Sequence, residues 1–313
     1  MKRILTLIAF FILLSNLSHA QQKDTCKIGI YVTSIFDFSL SEKAFSVDFW
    51  MWFNYKNDSL QMLGSTEIVN AKEFEFLLPD TEKKNNINWA TQKCRATIKK
   101  EWDVRHFPFD KQKLIIEIEE ANADTSSMVF VPDIANSKYD KRIHIEGWKI
   151  SDFKVKAEPI TYETSYGDPE LASGSSTYPA ATVTFTIERE GTGLFFKLFT
   201  GLYVAFGISL LVFFMGPENA ERFGLLVGAL FAAIGNKYIV DSMLPETTMY
   251  TLVDKIHVLT FVFILINLII TVIAYRFYAT QRVEQARKTD WYSFLFVITA
   301  YIAINALLVV SAF

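Results

Sequence analysis

Asn236, Lys237, Tyr238 and Asp241 crowd the second half of an apolar stretch, GLLVGALFAAIGNKYIVDSMLP (224–245), whose remainder is punctuated by glycines at 224, 228 and 235. Hydrocarbon cannot solvate such groups, so a helix that carries them must turn them towards protein or water. Positions 221, 224, 228, 231, 235, 238 and 242 recur every three or four residues and share one helical face, which reads Glu, Gly, Gly, Phe, Gly, Tyr, Ser. Glycines there can expose backbone carbonyls to a water-filled path. They can equally allow close helix packing, because Gly224-x-x-x-Gly228 is a small-xxx-small pattern. Lys237 and Asp241, four residues apart, can pair with one another. Other chemistries lack their parts. His106, His144 and His257 are scattered, no CxxC or Cys/His spacing suggests a metal, and no glycine loop opens a helix to hold a phosphate. No catalytic residue, cofactor or metal is assigned, and the chain is read as a non-enzyme.

The elements that must position this face divide the chain in two. The start, MKRILTLIAFFILLSNLSHA, has Lys2 and Arg3, an apolar run and small residues at Ser18 and Ala20, and it reads as a signal peptide over 1–20. From 21 to 190 short alternating runs follow one another: KIGIYVTSIF, FSVDFWMWFNY, STEIVNAKEFEFLL, WATQKCRATIKKEW, KLIIEIEE, GWKISDFKVKAEPITY and ATVTFTIER. Their spacing predicts an immunoglobulin-like β-sandwich, with DTEKKNN (80–86) and GDPELASGSSTYP (167–179) as exposed polar loops. From 191 to 313 four apolar segments, about 194–215, 223–240, 256–275 and 291–312, are each long enough to cross roughly 30 Å of hydrocarbon as helices. The fold class is therefore α+β in two parts, a sandwich followed by a four-helix membrane bundle.

Charge orients it. Arg276, Arg282, Arg287 and Lys288 fall in a loop of about 15 residues between the third and fourth spans, which the positive-inside rule assigns to the cytoplasm. The sandwich and the C-terminus then lie outside. A hydrophobic content of 51% with a formal charge of −3 gives no sign of nucleic-acid binding. Export permits a disulfide between Cys26 and Cys94; a buried free thiol at Cys94, which shares strand parity with Ala96 and Ile98, is the equal alternative.

RHFPFDKQKLIIEIE (105–119) is the most specific stretch. Its Phe-Pro-Phe-Asp turn, followed by Gln and an alternating strand, resembles the signature loop of pentameric ligand-gated ion channels. The cysteines that bracket this loop in the animal Cys-loop receptors are missing, as in the prokaryotic members. GIYVTSIFDFSLSEKAFSVDFWMWFNY is similar to the family's first two strands, and IEREG to the strand that enters its first span. The resemblance implies a homopentamer, since one such helix cannot enclose water, with Glu221, Gly224, Gly228, Phe231, Gly235, Tyr238 and Ser242 lining the pore. Five copies of Glu221 would form a carboxylate ring favouring monovalent cations, and Arg222, rotated by about 100°, would point to the cytoplasm or a neighbouring carbonyl. Where the family carries hydroxyl and aliphatic rings, this chain has glycines and a phenylalanine.

For coupling of binding to gating, the resemblance implies Phe107, Pro108, Phe109, Asp110, Arg189 and Pro245, with Glu42 or Asp37 supplying an acid from the turn between the first two strands. Arg189 shares parity with Val183, Phe185 and Ile187, so it points inward and needs a carboxylate, for which Asp110 is chosen. Trp50 and Trp52 point away from Phe45, Val47, Phe49, Met51 and Phe53. With Trp89, Tyr162, Tyr166 and Tyr178 they are the candidates for a small-molecule site of unknown ligand, or for a subunit contact. The implied function is a channel of the bacterial inner membrane, embedded in lipid and opened by a periplasmic ligand or protons. The alternative is a non-conducting sensor or assembly protein on the same scaffold.

Overall fold

The computed structural model describes residues 23–167, 169, 174–244 and 249–312. The expected signal peptide and Pro245 lie outside the described residues. Twelve strands occupy the first part: β1 (Asp24–Ser39), β2 (Ala44–Tyr55), β3 (Thr66–Ile68), β4 (Ala71–Lys84), β5 (Ile87–Lys99), β6 (Lys111–Glu120), β7 (Met128–Pro132), β8 (Lys138–Tyr139), β9 (Trp148–Ala157), β10 (Ile160–Tyr162), β11 (Ser176–Tyr178) and β12 (Ala180–Arg189). One sheet runs β4-β5-β2-β1-β7 with β8 also on β1, the second runs β3-β6-β12-β9, and β10 and β11 form a separate hairpin.

The period of two decides which residues go inside. Phe45, Val47, Phe49, Met51 and Phe53 on β2 are at most 1% exposed, and they share one core with Leu114, Ile116 and Ile118 of β6 and Val183, Phe185 and Ile187 of β12. Each such side chain contributes ~1.5–3 kcal/mol by leaving water, which makes the register costly to slip by one residue.

Four expectations are corrected. STEIVNAKEFEFLL is not one strand: β3 pairs with β6 in the second sheet and β4 with β5 in the first. The chain changes sheet at Asn70, whose side chain donates to Ile115 O at 2.9 Å and accepts from Glu117 N at 3.1 Å. DTEKKNN is exposed but mostly strand, since β4 continues to Lys84 opposite Ile87. Only Asn85 and Asn86 turn, at φ 50° and 60°, a left-handed pair that asparagine tolerates in a tight hairpin. Likewise GWKISDFKVKAEPITY divides into β9 and β10, and part of the second polar loop is β11, paired antiparallel to β10.

Four long apolar helices follow: α1 (Gly191–Leu210, extended by a 3-10 turn over Leu211–Phe214), α2 (Glu221–Asp241), α3 (Leu252–Ala279) and α4 (Val283–Val310). All four are long and apolar enough to cross a membrane. The basic loop expected between the last two shrinks to 280–282. Its residues are good helix formers, and a Lys288–Glu284 pair at 2.6 Å supports the first turns of α4. A helix of 28 residues is about 42 Å long, more than the hydrocarbon requires, so the basic ends extend past it.

Cys26 and Cys94 are both buried and free. Cys94 stands opposite Phe49 on β2, whereas Cys26 lies beyond the Lys27–Asn54 pair. At least five residues of strand, about 16 Å, separate their levels, too far for a disulfide. Burial raises both thiols well above the usual range, Cys94 to about 12. A thiol reagent at pH 8 should therefore leave the native protein unlabelled at both positions and modify both in denaturant. Rapid labelling of folded protein, or denatured protein that labels only after reduction, would contradict this burial.

Candidate functional site

The seam between sheets and helices is built around the turn at 105–110. Here β12 ends at Arg189 and α1 begins at Gly191, so strand and helix are joined by Glu190 alone. Arg189 donates from Nε to Oδ1 of Asp110 at 2.6 Å and from Nη2 to Oδ2 at 3.2 Å. The Arg189 side chain is 11% exposed and that of Asp110 is 2% exposed. The guanidinium lies 3.9 Å from the Trp148 ring centroid and 4.9 Å from that of Phe107. Gln112 completes the carboxylate shell, its Nε2 reaching Asp110 Oδ2 at 2.8 Å and Asp103 O at 2.7 Å. A bidentate, aromatic-flanked arginine is much more constrained than a surface pair.

The turn also holds both adjoining helices. A Cβ on Gly191 would lie 2.0 Å from Pro108 O, so only glycine lets α1 start this close to the turn. Phe109 meets Phe195 of α1 at 5.6 Å, and the Leu252 N–H that opens α3 donates to Arg105 O at 2.9 Å. The Arg105 guanidinium beside Asp103 holds that carboxyl down at about 2. The Phe107–Pro108 bond is cis.

Glu42 and Asp37 do not join this cluster. Both are exposed, and Glu42 is engaged through its main chain, its N–H donating to Ser39 Oγ at 3.0 Å and its carbonyl accepting from Lys72 Nζ at 2.5 Å. Sequence reasoning overlooked Trp148 and Gly191. Their only local signals were an aromatic at a strand start and a glycine directly after IERE.

Helix α2 has two faces. Arg222, Leu226, Ala229, Ala233 and Val240 are buried against the other helices. Glu221, Gly224, Gly228, Phe231, Gly235, Tyr238 and Ser242 are all exposed on roughly the opposite side, Phe231 by 68% and Tyr238 by 78%. A Cβ added at Gly224, Gly228 or Gly235 meets nothing within 4 Å among the described residues, so the small-xxx-small pattern is not used for packing among them. It is Gly201 of α1 that sits against α2: a Cβ added there would lie 3.1 Å from Asn236 Nδ2.

The polar second half is divided between the faces. Asn236 donates to Leu198 O of α1 at 3.2 Å, and its Oδ1 is 3.0 Å from Nε2 of the fully buried His257 on α3. Lys237 pairs with Asp241 and also with Asp254 of α3, at 2.7 Å. Arg222 departs from expectation: it is 1% exposed, turned into the bundle, and its Nη2 donates to Asp290 Oδ1 on α4 at 2.6 Å.

The aromatic candidates fall into two groups. Tyr162, Tyr166 and Tyr178 gather around the β10–β11 hairpin, with ring centroids 5.9–6.4 Å apart. Tyr162 OH donates to Glu119 Oε2 at 2.9 Å; burial raises the Glu119 carboxyl, and this bond partly opposes the rise. Trp50, Trp52 and Trp89 lie on the first sheet. Trp52 Nε1 donates to Asp133 Oδ2 at 3.2 Å with its ring packed over Gly29, and Lys84 Nζ lies 4.8 Å from the Trp89 ring. Among the described residues no ring contact joins the two groups within one protomer. Nor does any group of three His, Cys, Asp or Glu residues there have the arrangement to hold a metal ion.

The seam geometry yields a double-mutant cycle. Asp110→Asn and Arg189→Ala should each destabilise by about 3–5 kcal/mol, since each strands a buried charge, and the double variant should cost less than the sum. Thermal or denaturant unfolding of the detergent-solubilised protein measures this. Strict additivity would show that the two charges do not depend on one another.

No family model matches the chain. It is 24% identical over 201 residues to "Neuronal acetylcholine receptor subunit alpha-5" of Gallus gallus, covering 62% of this chain and 41% of that protein. It is 21% identical over 273 residues to "Acetylcholine receptor subunit alpha-L1" of Schistocerca gregaria, covering 79% of this chain and 48% of that protein. The chain thus spans less than half the length of the curated relatives it matches. Similarity to acetylcholine receptor subunits, carried on a strand-rich first part followed by four long apolar helices, supports the Cys-loop receptor superfamily for this chain.

Proposed function

We propose that this chain is the subunit of a homopentameric ligand-gated ion channel, selective for monovalent cations. In this reading it lies in a bacterial inner membrane, with the sandwich and the C-terminus in the periplasm and the basic ends of α3 and α4 in the cytoplasm. The observation that carries it is the face of α2. Seven residues at helical spacing, beginning with Glu221 and including three glycines, are exposed in the protomer opposite the stripe that packs on its neighbours. A glycine-rich, acid-ended face left uncovered within a membrane bundle requires water or further copies of itself, and five copies around an axis supply both.

The mechanism follows from the seam. A ligand or proton acting at the aromatic edge moves the β10–β11 hairpin, which β9 and β12 flank in the chain. Displacement of β12 reaches α1 through Arg189, while the turn at 105–110, bonded to Arg189, also touches the start of α3. α1 and α3 carry α2 between them through Asn236 and Lys237. The tyrosines and tryptophans, separate in one protomer, form a shared pocket only when two subunits face one another.

A second reading keeps the scaffold without conduction, as a sensor or assembly protein. Phe231 and Tyr238 favour it, because two large rings on the same exposed face would narrow any path along it. Current from purified protein in planar bilayers separates the two.

Two substitutions refine the test. In the cation-selective channel, Glu221→Gln should lower cation conductance and shift the reversal potential in a salt gradient towards that of a non-selective pore, because the mouth is where few waters screen the ring. A reversal potential unmoved by the change would place selectivity elsewhere.

Phe231→Ala should give a leaky or more easily opened channel if the ring closes the path by dewetting. Loss of thermal stability with wild-type conductance would instead identify Phe231 as a packing residue between subunits.

A further inference from the structure

Glu221 and Arg222 are adjacent at the start of α2, and their side chains leave the helix about 100° apart. Glu221 is exposed; Arg222 is among the largest fully buried side chains. Its Nη2 donates to Asp290 Oδ1 at 2.6 Å, the only ion pair between α2 and α4 among the described residues. Asp290, 4% exposed, stands on the packed stripe of α4, with Ala286 one turn before it and Val297 two turns beyond. Near the same level, Phe213 and Phe214 at the end of α1 close on Phe294 of α4 at 6.4 and 4.8 Å.

Among the described residues, Arg222 Nε and Nη1 meet no hydrogen-bond acceptor. Its position inside the bundle therefore rests on one carboxylate. A buried guanidinium without a counter-charge is too costly to keep, so without Asp290 the side chain must seek water. The residue next to it, Glu221, is exposed, so water is within reach of a released arginine at this end of α2. An arginine arriving there would cancel the glutamate charge in every copy.

On the pore reading proposed above, we infer that Asp290 determines the sign of charge at the inner mouth. It is a positioning residue: by holding Arg222 within the bundle, it leaves Glu221 as the uncompensated charge facing the path. A residue on the helix farthest along the chain, outside the pore-lining face, thus takes part in selectivity.

The test is the reversal potential of purified channel in proteoliposomes across a tenfold KCl gradient. Asp290→Asn should lower the cation-to-chloride permeability ratio several-fold, whereas Arg222→Gln should leave it near wild type. The double variant Arg222→Gln/Asp290→Asn should restore the wild-type value, because no displaced cation remains. A purely structural role for the pair gives no such rescue. Wild-type selectivity in Asp290→Asn, or a double variant as altered as the single one, overturns the inference.

If Asp290→Asn does not assemble, the charge-swapped Arg222→Asp/Asp290→Arg variant replaces it. It should assemble and keep the wild-type reversal potential; an assembled swap with altered selectivity, or a swap that fails where the neutral double variant assembles, overturns the inference. A wild-type protein that passes no current or prefers chloride is a failure of the pore reading instead. The pair is then tested by melting temperature, where the two single neutralisations should be sub-additive, and additive losses overturn the bridge itself.

Discussion

The pairing of Arg189 with Asp110 joins two otherwise different kinds of structure. On one side, sheets are held by burial of alternating side chains, where polar groups of the opposite face remain wet. On the other, helices long and apolar enough to cross a membrane satisfy their backbone groups internally. The chain passes between the two within a single residue, Glu190. The buried guanidinium must be placed accurately because its carboxylate, its two aromatic neighbours and Gln112 all come from other segments.

The turn that supplies Asp110 serves a second purpose. Pro108 lies against Gly191, Phe109 against Phe195, and the Arg105 carbonyl receives the first amide of α3. One six-residue turn therefore touches the starts of two helices and the end of one strand. These contacts are packed and hydrogen-bonded, with little room to deform independently.

Helix α2 shows how a polar sequence can enter an apolar bundle. Asn236 and Lys237 turn inward and find partners on α1 and α3, Arg222 finds Asp290, and the glycines of the exposed face receive no cover from the described residues. The exposed face and the separated aromatic groups are incomplete in the same sense. In the proposed pentamer, each is a half-built surface that another copy of the chain completes.

Much of this was legible from residue order. Alternation at period two identified the inward set on β2, spacing of three and four residues identified the exposed face of α2, and parity placed Arg189 inward near an acidic turn. These are local properties, set by backbone geometry over a few residues. What the order of residues left open depends on partners distant in sequence. The split of β3 from β4 follows from Asn70 bonding across to β6, and the free state of Cys26 and Cys94 follows from strand register. The reach of Arg222 to Asp290 spans 68 positions, and nothing in its own helix marks it. Periodicity tells a side chain which way to face; only the packed structure decides what it meets there, because that partner is chosen by the arrangement of the other elements.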